Sequence, residues 1–179
     1  MPELIPVLSK EAIRRRVVQM GRRLSAEYRN REVVMVCVLK GALMFMADLV
    51  RAMSTEVEID FVRVSSYGGS TQSSGRIRLT KDLETDVSGK HVIIVEDIVD
   101  TGLTLEKLVD HIGKAGAASV KICAMIDKTE RRESDVHVDF TCHRLEHGFL
   151  VGYGLDFNEA YRGLPEIYHL KFNASEGAS

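Results

Sequence analysis

The chain has 179 residues, with 24 Lys and Arg against 26 Asp and Glu for a net charge of -2. That length suits one domain with a core large enough to need no covalent staples, and the near-neutral balance excludes the whole-protein basic field of a dedicated nucleic-acid binder. No apolar run reaches the roughly 18 residues of a membrane helix, and Cys37, Cys123 and Cys142 form no CxxC pair, so no membrane association and a reducing, cytoplasmic setting are expected.

Ser9 reads as an N-cap with Glu11 in the first turn, and Ile13, Val17, Met20 and Leu24 mark one face of a helix ending near Tyr28. Val33 to Leu39 is a continuous apolar run, the pattern of a strand buried on both faces. Lys40-Gly41 follows at once, and then an almost wholly apolar helix from Ala42 to Met53. By itself such a turn is compatible with a plain strand-to-helix connection. Val57 to Ser66 alternates as a strand. Tyr67 to Gly75 carries three Gly and four Ser or Thr in nine residues, a flexible composition, and Arg76 to Leu83 is expected to return antiparallel.

The stretch Val92 to Thr104, VIIVEDIVDTGLT, organises the rest. It starts as a buried strand and then delivers Glu96, Asp97 and Asp100 as an acidic loop. After the turn Thr101-Gly102-Leu103-Thr104, the apolar residues Leu105, Leu108, Val109 and Ile112 recur at helical spacing. A helix that begins directly after a strand turns its first N–H groups and positive dipole end toward the strand's carboxyl end, where an anion binds. Thr101 and Thr104 add hydroxyl donors. Carboxylates beside a phosphate repel it unless they face another part of the ligand, which suits them to sugar hydroxyls and a hydrated Mg2+.

Gly116 closes that helix, and Ser119 to Ile126 is the next buried strand, ending in Asp127-Lys128. Two such strands joined by a helix make a right-handed βαβ unit whose ligands bind beyond the strands' carboxyl ends. Lys40, Asp100 and Lys128 each stand at such an end. Val136 to Cys142, Phe149 to Val151 and Ile167 to Phe172 read as short strands, and Asn173 to Ser179 as a disordered tail. His143 to His147 spells HxxEH, but two strand patterns leave no room for the helix that a zinc peptidase needs. Asp100-Thr101-Gly102 spells the aspartic protease triplet, which requires a second copy on an all-β scaffold.

The segment VEDIVDTGLT closely resembles the phosphoribosyl diphosphate signature of the type I phosphoribosyltransferases, in a variant similar to the hypoxanthine-guanine branch. The likeness covers Leu39 to Ala42, Ser66-Tyr67, Val95 to Thr104, Lys128 and Phe149 to Arg162. It implies an α/β fold, a mostly parallel twisted sheet flanked by helices. It also implies a single domain over residues 1–173, with a hood formed from the N-terminal segment and about 136–172, and a tail at 174–179. The implied reaction moves the phosphoribosyl group from phosphoribosyl diphosphate to N9 of hypoxanthine or guanine.

By the same resemblance, Glu96 and Asp97 hold the ribose hydroxyls and Mg2+, and Asp100, Thr101, Gly102, Leu103 and Thr104 hold the 5′-phosphate. Asp100 also takes the proton at purine N7. Lys40, Gly41 and Arg162 grip the pyrophosphate, with a non-proline cis peptide expected at Leu39-Lys40. Lys128 selects the 6-oxo group, Phe149 stacks on the base, and the Leu150 carbonyl meets its N1 or N2 edge. Asp156 joins the purine site and helps bind a second Mg2+, and Ser66-Tyr67 belongs to a mobile lid. Homodimers or homotetramers acting on small molecules are implied, with no nucleic-acid partner. The competing reading is a regulator of the same fold that binds RNA through the arginines of the first helix, and salt-dependent RNA retention separates the two.

Overall fold

The computed structural model describes residues 2–65 and 78–172. Twelve elements follow in order: β1 (Glu3–Leu8), α1 (Lys10–Glu27), β2 (Val33–Val38), α2 (Leu43–Ala52), β3 (Glu58–Ser65), β4 (Arg78–Lys81), β5 (His91–Val99), α3 (Leu103–Lys114), β6 (Ser119–Lys128), β7 (Phe140–Leu145), β8 (Leu150–Val151) and β9 (Ile167–Lys171). Ser9 caps α1 as expected, its hydroxyl accepting from the Ala12 amide at 3.2 Å.

Six strands form the main sheet in the order β4-β3-β2-β5-β6-β7. All its pairings are parallel except β3 with β4, which is antiparallel. β2 and β5 read as uninterrupted apolar runs because both faces of the sheet are covered. Met35, Cys37, Ile93 and Val95 pack toward Leu24 of α1 and Phe45 and Leu49 of α2. Their neighbours Val34, Val36, Val92 and Ile94 pack toward Leu105, Leu108 and Ile112 of α3. Helices on both faces are what an all-parallel core requires.

A second, three-stranded sheet, β1-β9-β8, is antiparallel and ties the N-terminal strand to the C-terminal one. The hood expected from about residue 136 is corrected here, because β7 joins the main sheet, parallel to β6. Phe140 and Cys142 are buried in the same core as Met125 and Tyr28, and the Arg23 guanidinium lies 4.8 Å over the Phe140 ring. An alternating pattern reports a half-buried strand but not the sheet it pairs with. The acidic stretch also differs from expectation: β5 continues to Val99, paired with Asp127 of β6, so Glu96 and Asp97 stand on the strand and only Asp100 onward forms the turn. Among the described residues no helix is long and apolar enough to cross a membrane.

Candidate active site

Parallel pairing brings the carboxyl ends of β2, β5 and β6 to one edge of the sheet. Lys40-Gly41, Asp100 to Thr104 and Lys128 meet there, and the segment from Gly148 to Arg162 closes over them. The Leu39-Lys40 peptide is cis, as the resemblance implied. Ser66 and Tyr67, expected as part of a lid, lie outside the described residues.

The anion cradle forms where β5 gives way to α3. Gly102 is the N-cap, with φ 81° and no side-chain cap, so the first amides of α3 remain free to meet an anion. A Cβ at Gly102 would overlap Ser134 Oγ, so both the positive φ and the close approach require glycine. Val38, Glu96, Asp100, Thr101, Gly102 and Thr104 line a cleft of about 260 Å³ here, room for a phosphate and part of a sugar. Leu103, the first residue of α3, is exposed, and its backbone amide is one of those at the open end of the helix.

Glu96 and Asp97 touch one another. The Asp97 amide donates to Glu96 Oε1 at 3.1 Å, and the Ile98 amide to Asp97 Oδ1 at 2.8 Å. Burial first, and the Asp97 carboxylate second, push the Glu96 carboxyl well above the usual range. The ion pairs among the described residues include no lysine or arginine on either acid. Two acids in contact without a cation suit a divalent ion with oxygen ligands. No group of three or more His, Cys, Asp or Glu side chains is gathered for a metal among the described residues. A divalent ion here would need substrate oxygens and water to complete its shell, as Mg2+ tolerates.

A Cβ at Gly41 would overlap the Asp97 carboxylate, so glycine there lets the turn after β2 close onto the acidic strand. Gly41→Ala is expected to lower kcat/KM about tenfold by displacing Asp97. Wild-type kinetics would reject this.

Lys40 and Arg162 are brought together, but onto a residue that sequence reasoning left without a role. Lys40 Nζ pairs with Glu159 Oε2 at 2.8 Å and Arg162 Nη2 with Glu159 Oε1 at 3.3 Å. Those contacts, Lys40 foremost, hold the Glu159 carboxyl below its ordinary range. Arg162 also donates to the Gly154 carbonyl at 2.8 Å, and its Nε is buried with no hydrogen-bond partner. Asp156 has both oxygens engaged, with Oδ1 2.9 Å from Arg162 and Oδ2 accepting from the Glu159 amide at 2.8 Å. A metal at Asp156 would share its carboxylate with the Arg162 guanidinium.

The base side is assembled around Lys128, only 7% exposed. Its ammonium lies 3.4 Å from Asp100 Oδ1 and donates to the Gly148 carbonyl at 3.3 Å. Arg131 approaches the other Asp100 oxygen at 3.5 Å. Asp100 Oδ1 is buried and makes no hydrogen bond, an acceptor left for a ligand. Phe149 is 48% exposed at the mouth, held edge-on by Phe157 at 5.7 Å, which Phe172 supports at 5.1 Å. Leu150 is buried in β8 behind it. Arg131, Arg132 and Glu159 are the functional candidates that the sequence concealed, the arginines inside an ordinary-looking charge run.

Fold and site together define an enzyme that binds a sugar phosphate at the edge of a parallel sheet, and the chain belongs to the phosphoribosyl transferase family, whose domain profile matches residues 8–158. It is 46% identical over 165 residues to the hypoxanthine-guanine phosphoribosyltransferase of Bacillus subtilis, covering 92% of each chain. It is 44% identical over 163 residues to the enzyme of that name from Aquifex aeolicus, covering 90% of this chain and 92% of the other. A crystal structure of a Staphylococcus aureus hypoxanthine phosphoribosyltransferase superposes with a TM-score of 0.89 at 38% identity, over 93% of this chain and 90% of that one.

Proposed function

We propose that the protein transfers the 5-phosphoribosyl group from phosphoribosyl diphosphate to N9 of hypoxanthine or guanine, giving IMP or GMP and pyrophosphate. The observation that carries this reading is the pairing of Lys128 with Asp100 at 3.4 Å, beside an exposed aromatic ring and one turn from the open amides of α3.

The 5′-phosphate rests on the Thr101 to Thr104 turn and the ribose hydroxyls face Glu96 and Asp97. Lys40 and Arg162 release Glu159 to take the diphosphate. The C1′–oxygen bond to pyrophosphate breaks as purine N9 bonds to C1′, with positive charge spread over the ring in between. The proton on purine N7 passes to Asp100. Glu96 and Asp97 would hold Mg2+ together with substrate oxygens, and the ion would supply neutralising charge for the diphosphate. Lys128 donates to O6 of the base, and adenine, which presents an amino group there, meets a donor instead of an acceptor. Phe149 stacks on the ring.

Assembly as a homodimer or homotetramer accords with the exposed Leu43 and Met44 of α2. A cytoplasmic, reducing setting accords with three free, buried cysteines. The test is incubation with phosphoribosyl diphosphate, Mg2+ and each purine in turn. IMP and GMP are expected, with adenine left unused; no product from any 6-oxopurine overturns the reading. Glu159→Gln separately tests the displaced acid. Removing its charge should lower KM for phosphoribosyl diphosphate about two- to fivefold, the size expected of exposed ion pairs. An unchanged or higher KM would show that Glu159 does not compete with the diphosphate.

A further inference from the structure

We infer that Arg132 is a positioning residue, which locks the proposed base Asp100 and the proposed selector Lys128 into one frame. This deepens the phosphoribosyl-transfer reading and rests on it. The two residues stand at the ends of different strands, and the β5–β6 ladder stops at the pair Val99 with Asp127, one residue before each of them. Beyond that pair the ladder no longer fixes one against the other.

Arg132 takes over at that point. Its Nε donates to the Asp100 carbonyl at 3.0 Å, and its Nη2 to the carbonyls of Lys128 at 3.2 Å and Val99 at 3.4 Å. The same Nη2 pairs with the Asp127 carboxylate, itself only 7% exposed, and Nη1 reaches the Val136 carbonyl at 3.5 Å. One planar fork thus holds the backbone carbonyls of Asp100, Lys128 and Val99 and the side-chain carboxylate of Asp127. A planar group with five fixed donors can span four carbonyls and a carboxylate, and a lysine ammonium cannot.

The loop that carries Arg132 is itself pinned to the phosphate turn. The Glu133 amide, the Ser134 amide and the Ser134 hydroxyl all donate to the Thr101 carbonyl, at 3.0, 3.2 and 3.2 Å. The anion cradle keeps these bonds and the α3 amides when Arg132 is replaced. The Asp100–Lys128 spacing does not.

The test compares Arg132→Lys with the wild type in steady-state kinetics using hypoxanthine, guanine and adenine. The expected signature is a fall in kcat of about 10- to 100-fold. KM for phosphoribosyl diphosphate should stay within about threefold, and the preference for hypoxanthine over adenine in kcat/KM should narrow. A role in stability alone would lower the thermal midpoint and the active fraction while leaving the KM and the base preference of the surviving enzyme unchanged; that result overturns the inference. Asp127→Asn loosens the same guanidinium from its other side and should give the same signature in weaker form, which keeps the test open if Arg132→Lys does not fold. Wild-type protein without activity on any 6-oxopurine would sink the functional reading. An active wild type with two variants of unaltered base preference and kcat would sink the role of Arg132.

Discussion

Asp100→Asn is expected to lower turnover about 10²- to 10⁴-fold, the span of a lost general base, while KM for phosphoribosyl diphosphate moves only a few-fold. The size follows from what the carboxylate does not do in the free protein. Oδ1 is buried without a hydrogen bond, and Lys128 and Arg131 flank the group at 3.4 and 3.5 Å without satisfying it. Two cations stand beside an acceptor that is left open for a ligand. Asparagine keeps the shape and the backbone contact from Arg132 but cannot take a proton. The 5′-phosphate should still bind, because the donors proposed for it are the α3 amides behind Gly102 and not this side chain. Measuring kcat and both KM values decides the matter: a wild-type kcat would remove Asp100 from proton transfer, and a loss confined to KM would reassign it to binding.

Much of this geometry was legible from residues with a single reading. The apolar runs of β2 and β5 demand cover on both faces, so a parallel sheet between helices follows from Val33 to Val38 and Val92 to Val95 alone. Ser9 announced its cap, and the turn Thr101 to Thr104 announced where β5 gives way to α3. The places where sequence and structure part are those where partners come from distant parts of the chain. Phe140 and Cys142 alternate equally well for either sheet, and only their packing against Tyr28 and Met125 selects the larger one. Glu159 meets Lys40 across 119 positions, a separation no local pattern encodes. Arg131 and Arg132 resemble a solvated charge run, since neither the hydrogen bonds of Arg132 to backbone carbonyls nor the approach of Arg131 to Asp100 leaves a trace in residue type. Glu96 and Asp97 looked like a loop because acids are rare in a buried strand. They remain on β5 because Gly41 leaves room for the Asp97 carboxylate.

Lys128→Ala should cost about 10²-fold in kcat/KM with hypoxanthine, the size of a lost hydrogen bond from a charged group plus the acceptors it leaves unmatched. Lysine at the end of β6 would ordinarily be a solvated side chain. Here the ammonium is enclosed, and its nearest oxygens are Asp100 Oδ1 and the Gly148 carbonyl next to Phe149. It therefore links the segment carrying Phe149 to the proposed proton acceptor, and alanine removes the proposed O6 donor and that link together. Loss should be steep for both hypoxanthine and guanine, which share O6, and slight for adenine, whose amino group gains nothing from the ammonium. Lys128→Met separates charge from bulk, since it refills most of the volume. If methionine restores 6-oxopurine use, packing and not hydrogen bonding selects the base; if the hypoxanthine-to-adenine ratio stays at the wild-type value in both variants, discrimination lies elsewhere in the site.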